Sequence, residues 1–242
     1  MEKVLEVSNV SKAFKNGRGI QDIHFSLEQG NVMGVVGPNG AGKTTMMKCI
    51  TGLARPDSGH ITIFGNDVER DYKNAMKHVG AYIGPGTVYP YLSAIQNLKQ
   101  RLRFYPELSN NRIVEVLEQV GLLEYKLEKA SSLSMGMAQR LGLAVALLSK
   151  PKLVILDEPA NGLDIDGMLL FRRTVEELSS SGVTFIISSH LTKELDEICS
   201  HFAIIQDGKL LFKGSKSSLG NDRPIEDVYI EKMGGDRYAG KH

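Results

Sequence analysis

Tryptophan is absent from this sequence, and cysteine occurs only twice. Two thiols are too few for a disulfide framework. Cys49 and Cys199 each fall inside an apolar helical pattern, which reads as buried thiols kept in a reducing compartment. A surplus of charge is also missing: 29 basic side chains face 28 acidic ones. That near balance argues against a polyanion-binding face, so nucleic acid is not the expected partner. No apolar run approaches the roughly 18–20 residues that a membrane span requires. Residues 1–7 hold no apolar block of signal-peptide length. Internal repeats and low-complexity tracts are absent too. The expectation is a soluble, cytosolic chain; if it works at a membrane, another chain supplies the spanning part. Its 242 residues suffice for one large α/β domain, or for one domain carrying a sub-domain.

What is present is a phosphate-binding pattern. Gly37-Pro38-Asn39-Gly40-Ala41-Gly42-Lys43-Thr44 has two glycines that bracket four residues' worth of loop and are followed by Lys and Thr. Glycines let the backbone bend until successive N–H groups point at phosphate oxygens. Lys43 supplies a point charge for the β- and γ-phosphates, and Thr44 a hydroxyl for Mg²⁺. An apolar strand, 32–36, comes just before, and a helix over 45–50 follows. The phosphates then sit at the positive end of a helix dipole. The chain is expected to bind a nucleoside triphosphate.

The remaining pattern is α/β. Strands are expected at 4–10, 23–27, 61–64 and 79–83, with a Pro/Gly turn over 55–59. Residues 84–90 change to Gly, Pro and Tyr and read as a loop. Ser93 and Gln96 form a capping box for a helix to about residue 104. Ile113, Val116, Leu117 and Val120 fall at helical spacing ended by Gly121, and 134–148 is a third helix stopped by Pro151. Strands return at 153–156, 184–188 and 202–206, with helices at 166–179 and 191–199. Asp207-Gly208 signals a type I′ hairpin into 209–211. The division is an α/β core over 1–85 and 151–214, a helical insert over 86–150, and an extension over 215–242. In that extension the apolar patch Val228-Tyr229-Ile230 reads either as a short helix packed on the core or as a mobile segment.

The strand 153–156 delivers two adjacent carboxylates, Asp157 and Glu158, at its end. Ligands in open α/β sheets bind at the carboxyl ends of strands, so these acids should face the phosphate loop. Asp157 is placed to hold Mg²⁺, and Glu158 to act as general base on an attacking water. A strand ending in solvated acids is the plainer reading, but Lys43 weighs against it.

Taken in order, these motifs resemble the ATP-binding subunit of an ABC transporter over nearly the whole chain. The resemblance rests on the phosphate loop 37–45, the signature-like Leu133-Ser134-Met135-Gly136-Met137-Ala138-Gln139-Arg140, the strand 153–159, the loop Asn161-Gly162-Leu163-Asp164, and Ser188-Ser189-His190. It implies a P-loop NTPase core of ABC type with an antiparallel β subdomain and a helical insert subdomain. It also implies ATP with Mg²⁺ as cofactors, hydrolysis of ATP, and a separate transmembrane permease as partner. Such cassettes pair head to tail, so Ser134 and Gly136 of one copy would meet the γ-phosphate held by Lys43, Thr44 and Thr45 of another. Read alone, Ser134 serves equally as an ordinary helix cap. His190 would bond the γ-phosphate, Phe14 would stack on adenine, and Asp164 would lie at the subunit interface. Alone, His190 and Phe14 read as structural residues.

Two departures stand out. Most such cassettes carry glutamine where Gly84 falls, and Met135 and Met137 replace signature glycine and glutamine. These features are most similar to cassettes of exporters acting on lantibiotic- and bacitracin-type peptide antibiotics, which carry an acid at the Gly84 place, so Gly84 fits neither group. The alternative function is a soluble ABC-type ATPase without a membrane partner. A chromosome-type head would need a long coiled coil between Thr45 and Ser134, and no sustained heptads lie there.

Overall fold

The computed structural model describes residues 2–84, 87–220 and 223–233. Two sheets organise the chain. The first is antiparallel: β1 (Lys3–Ala13) pairs with β2 (Gly19–Glu28) on one side and β4 (Ser58–Ile63) on the other, and β5 (Asn66–Asp67) closes the edge. Along β1 and β2, Val7, Val10, Ile23, Phe25 and Leu27 are buried while their neighbours reach solvent, the half-buried alternation expected of such a sheet, and the consecutive Val4 and Leu5 are both buried.

The second sheet runs β10-β9-β3-β8-β7-β6. Here β3 (Val32–Val36), β6 (Val79–Tyr82), β7 (Leu153–Asp157), β8 (Thr184–Ser189) and β9 (His201–Gln206) are parallel neighbours, and β10 (Lys209–Ser215) is an antiparallel edge. β3 and β8 are buried at every position, as strands covered on both faces must be. One face, with Met33, Val35, Ile155 and Ile186, packs on the antiparallel sheet and α1 (Lys43–Ile50). The other, with Val36, Val154, Phe185 and Phe202, packs on helices.

Those helices include α3 (Ala94–Leu102), α4 (Asn111–Gln119) and α5 (Met135–Leu147), which lie between β6 and β7 in the chain; α2 (Tyr72–Met76) precedes β6. α6 (Ile165–Ser180) and α7 (Thr192–Ile198) connect the later strands, and α8 (Ile225–Lys232) follows β10. Ser93 makes the expected capping box with Gln96. Asp207 and Gly208 both have positive φ, 47° and 77°, as a type I′ turn demands.

Some boundaries differ from the sequence expectation. The strand expected at 61–64 begins at Ser58, inside the stretch that reads as a turn. Ser58 pairs with Ser11 across a bulge, and a Cβ at Gly59 would lie 2.4 Å from the Asn9 carbonyl oxygen. Only glycine allows that approach. The helix expected to reach 104 ends at Leu102. Short α2 had no periodic signal. Within the 84–90 loop, residues 85 and 86 lie outside the described residues, as do 221–222 and 234–242 of the extension. Its apolar patch does form a helix, α8, with Ile225 and Val228 buried on the helical side of the core.

Candidate functional site

The phosphate loop connects the end of β3 to α1. Gly40 and Gly42 take φ of 83° and 111°, and Gly42 is the N-cap of α1. A Cβ at Gly37 would fall 2.2 Å from the Ile205 carbonyl oxygen, so glycine there lets the loop lie against β9. Lys43 is buried and curls back over the loop. Its Nζ donates to the Gly37 carbonyl at 2.6 Å and to that of Pro38 at 3.3 Å.

The end of β7 comes in beside it, with β8 lying between β3 and β7. Thr44 Oγ1 donates to Asp157 Oδ2 at 2.7 Å, and Ser188 Oγ donates to Asp157 Oδ1 at 2.6 Å. The β7–β8 register places Asp157 opposite Ser188, which also accepts the Glu158 N–H at 2.9 Å. Glu158 itself adopts φ 51°, a left-handed conformation costly for a residue with a side chain. Its Oε2 lies 2.8 Å from His190 Nδ1. Its Oε1 is buried and forms an ion pair with Lys43 Nζ at 3.2 Å. Nearby, burial pushes the Glu194 carboxyl up; the His190 ring opposes that rise and the Glu158 charge adds to it.

A cleft of about 310 Å³ opens over this constellation. Residues 38–45 and Glu158 form one wall, and Phe14, Asn16, Arg18 and Gly19 of the β1–β2 turn form the other. Phe14 is exposed, and Lys12 Nζ stands 5.9 Å from its ring centroid.

Phe14, Lys43, Thr44 and Glu158 line one cleft, and Asp157 and His190 are tied to it through their bonds to Thr44 and Glu158. Ser134, Gly136 and Asp164 are not among its lining residues. They form a second cluster. Ser134 caps α5 by accepting the Met137 N–H at 3.2 Å, and Asp164 caps α6 by accepting that of Gly167 at 2.8 Å. A Cβ on Gly136 would sit 2.7 Å from the Gly162 carbonyl oxygen, so the two turns touch. Gly84 has φ 68° and open space around it. Sequence pattern alone points to no role for Ser188, Asn16 or Arg18. The signal for Ser188 lay in strand order: ends of adjacent parallel strands align, so a hydroxyl closing one strand meets a carboxylate closing the next.

A parallel sheet with a glycine-rich loop between strand and helix, and a carboxylate pair one strand removed, defines a P-loop nucleoside triphosphatase. The family described as ABC transporter matches residues 20–161, and the chain belongs to that family. It is an ATP-binding subunit of ABC type, an ATPase. Relatives include the ABC transporter ATP-binding protein YhcH of Bacillus subtilis (41% identical, covering 87% of this chain and 70% of that one). The bacitracin transport ATP-binding protein BcrA of Bacillus licheniformis is 36% identical (87% and 69%). The lantibiotic transport ATP-binding protein SrtF of Streptococcus pyogenes is 34% identical (95% and 97%). A solved ATP-binding subunit of an ABC transporter superposes with a TM-score of 0.86 at 24% identity (95% and 99%), which establishes the fold.

Proposed function

We propose that this chain hydrolyses ATP to ADP and phosphate to drive a separate transmembrane permease, as part of an exporter of peptide antibiotics or related amphipathic compounds. The observation that carries the chemistry is Glu158, held by His190 on one oxygen and facing Lys43 with the other, beside the Thr44–Asp157 pair.

A hydroxyl and a carboxylate converging at 2.7 Å are hard oxygen donors of the kind Mg²⁺ takes beside substrate phosphates. Thr44 and Asp157 would hold it, and when bound it neutralises charge on the phosphate oxygens. Ser188 orients Asp157 for that task. Lys43 and the backbone amides of 40–45 hold the β- and γ-phosphates. A carboxylate only accepts, so His190 Nδ1 donates to Glu158, leaving Nε2 as the nitrogen for a water or a phosphate oxygen. Glu158 is the carboxylate that takes the proton as water attacks the γ-phosphorus and the bond to ADP breaks. Phe14 stacks on adenine.

Two copies are proposed to assemble head to tail, the Ser134–Gly136 turn of one closing the cleft of the other, with Asp164 at the seam. α5 begins at Ser134, so the turn offers a helix N-terminus to phosphate. The core over 1–85 and 151–214 carries the nucleotide, and the helical lobe over 86–150 carries the signature turn. No helix among the described residues is long and apolar enough to cross a membrane. In this reading the chain works on the cytoplasmic side, held to the membrane by its permease. The relatives named for bacitracin and lantibiotic transport support the cargo class.

The test is phosphate release and nucleotide binding by the purified chain. Lys43→Ala is expected to lose most ATP affinity, and Glu158→Gln to bind ATP while its turnover falls about 10²-fold or more. Normal turnover by Glu158→Gln would remove Glu158 as the base. Co-purification with a multi-spanning membrane protein encoded separately is the expected outcome for the partner.

A further inference from the structure

The turn between β1 and β2 walls the cleft opposite the phosphate loop, and it carries a cation that none of the chemistry above uses. Ala13 pairs with Gly19 at the end of the ladder, so the next pair outward is Phe14 and Arg18. The Phe14 N–H donates to the Arg18 carbonyl at 2.8 Å. Residues facing each other across an antiparallel pair project to the same side, with Cβ atoms about 5 Å apart. Phe14 and Arg18 both line the cleft.

The base of Arg18 is held firmly. A Cβ on Gly42 would lie 3.0 Å from the Gly19 carbonyl oxygen and 2.8 Å from Ile20 Cγ2, so the returning arm of the turn rests on the N-cap of α1. From the far side, Gly208 donates to the Ala41 carbonyl at 2.9 Å and accepts the Gln21 N–H at 2.7 Å, joining phosphate loop and β2. Asn16 Oδ1 accepts the Arg18 N–H at 3.1 Å and shapes the tip. The neighbouring cation is already engaged: Lys12 Nζ pairs with Asp57 Oδ1 at 2.6 Å, and the Ala13 N–H, with Lys12 second, holds the Asp57 carboxyl below the usual range. Among the described residues, nothing engages the Arg18 guanidinium.

We propose that Arg18 grips the α-phosphate of the bound nucleotide. This rests on the nucleotide reading of the cleft given above. With the γ-phosphate at Lys43 and Glu158 and the base against Phe14, the stretch of ligand between them is ribose and α-phosphate. That is where a side chain rooted between Phe14 and Gly42 arrives. A guanidinium presents a planar fork that matches two phosphate oxygens. Lys43 and Arg18 then divide the triphosphate: one senses its terminus, the other its attachment to the nucleoside.

The experiment is calorimetric titration of the full chain with ADP, GDP and a non-hydrolysable ATP analogue, in wild type, Arg18→Ala, Arg18→Lys and Lys43→Ala, with melting curves as a fold check. Arg18→Ala is expected to weaken ADP and the ATP analogue by the same factor, about tenfold or more for a charged hydrogen-bonding pair. KM for ATP rises by a like factor while kcat stays within about twofold, since an α-phosphate contact is equal in ground and transition states. Arg18→Lys recovers part of the loss, and the ADP to GDP ratio does not change. Unaltered affinity in Arg18→Ala overturns the proposal. So does a loss confined to the ATP analogue, which would mark a γ-phosphate contact, or a shifted ADP to GDP ratio, which would mark a base contact. If Lys43→Ala loses binding and Arg18→Ala does not, only the Arg18 assignment fails. If wild type binds none of the nucleotides, the reading of the cleft fails with it.

Discussion

At the scale of single residues, the cleft is built from short polar side chains whose partners are fixed by strand ends. Asp157 uses one oxygen for Thr44 and the other for Ser188, so neither is left to swing away. The acids and Lys43 were legible in the sequence because a glycine-rich loop and a carboxylate pair have recognisable spacing. Ser188 and Arg18 were not, because their roles depend on which strands lie side by side and on how a turn folds over the loop. Two histidines away from the cleft are placed to make stability depend on pH. Burial pushes the imidazoles of His78 and His201 below the ordinary 6.5, helped by Lys152 and Lys77 at the first and by Lys213 at the second, where Glu28 opposes. The folded state therefore resists protonation that the unfolded chain accepts. Stability should be full above about pH 6.5 and decline as pH falls through the lower folded values. Melting temperatures taken between about pH 7.5 and pH 5.5 should drop, and His78→Gln with His201→Gln should flatten that slope. An equal slope in the double variant would show that other groups set it.

At the scale of elements, close approach decides the packing around the site. α5, which starts at the signature turn, lies directly on β6 at Gly80, where a Cβ would meet the Ala146 carbonyl oxygen at 2.0 Å. Backbone cannot yield as a side chain does, so Gly80→Ala must push helix and strand apart. A loss of about 1–3 kcal/mol is expected, the range for overpacked cores. Chemical denaturation read by circular dichroism checks it, and an unchanged midpoint would mean α5 has slack. At Gly34 the neighbours are side chains instead, with a Cβ 3.0 Å from Cys199 Sγ and 3.2 Å from Leu195 Cδ1, so they could give by a few tenths of an ångström. Helices with strong apolar spacing, such as α4 and α6, could be read ahead with small errors at their ends. The start of β4 could not, because Pro56 and Gly59 look like a turn and only pairing across the bulge with Ser11 draws Ser58 into the sheet. α2 is five residues long, too short for a helical period to register.

At the scale of the whole molecule, the two clusters of site residues are separate in one chain. The cleft has Lys43 and Glu158; the paired turns have Ser134, Gly136 and Asp164. A head-to-tail dimer is what would bring them together, and Glu158→Gln loaded with ATP should run as that dimer on a sizing column. Adding Ser134→Arg should return it to monomer while ATP binding by each copy persists. Ser134 also caps α5, so its replacement removes about 1 kcal/mol of helix stability. Ser134→Asn, which keeps a capping acceptor, separates the two effects. A Ser134→Arg protein that still dimerises would place the contact elsewhere. The motif order raises the expectation of such an assembly, but no pattern in the sequence shows that the signature and Asp164 turns lie against each other.

The two thiols add one practical consequence. Cys49 sits in the core under the antiparallel sheet, where burial raises its pKa to about 11; Cys199 sits in the core under the helices, raised further still. Neither reacts as thiolate while its surroundings stay shut. The rate at which an alkylating reagent modifies each one therefore times the opening of the core around it, with no probe to be introduced.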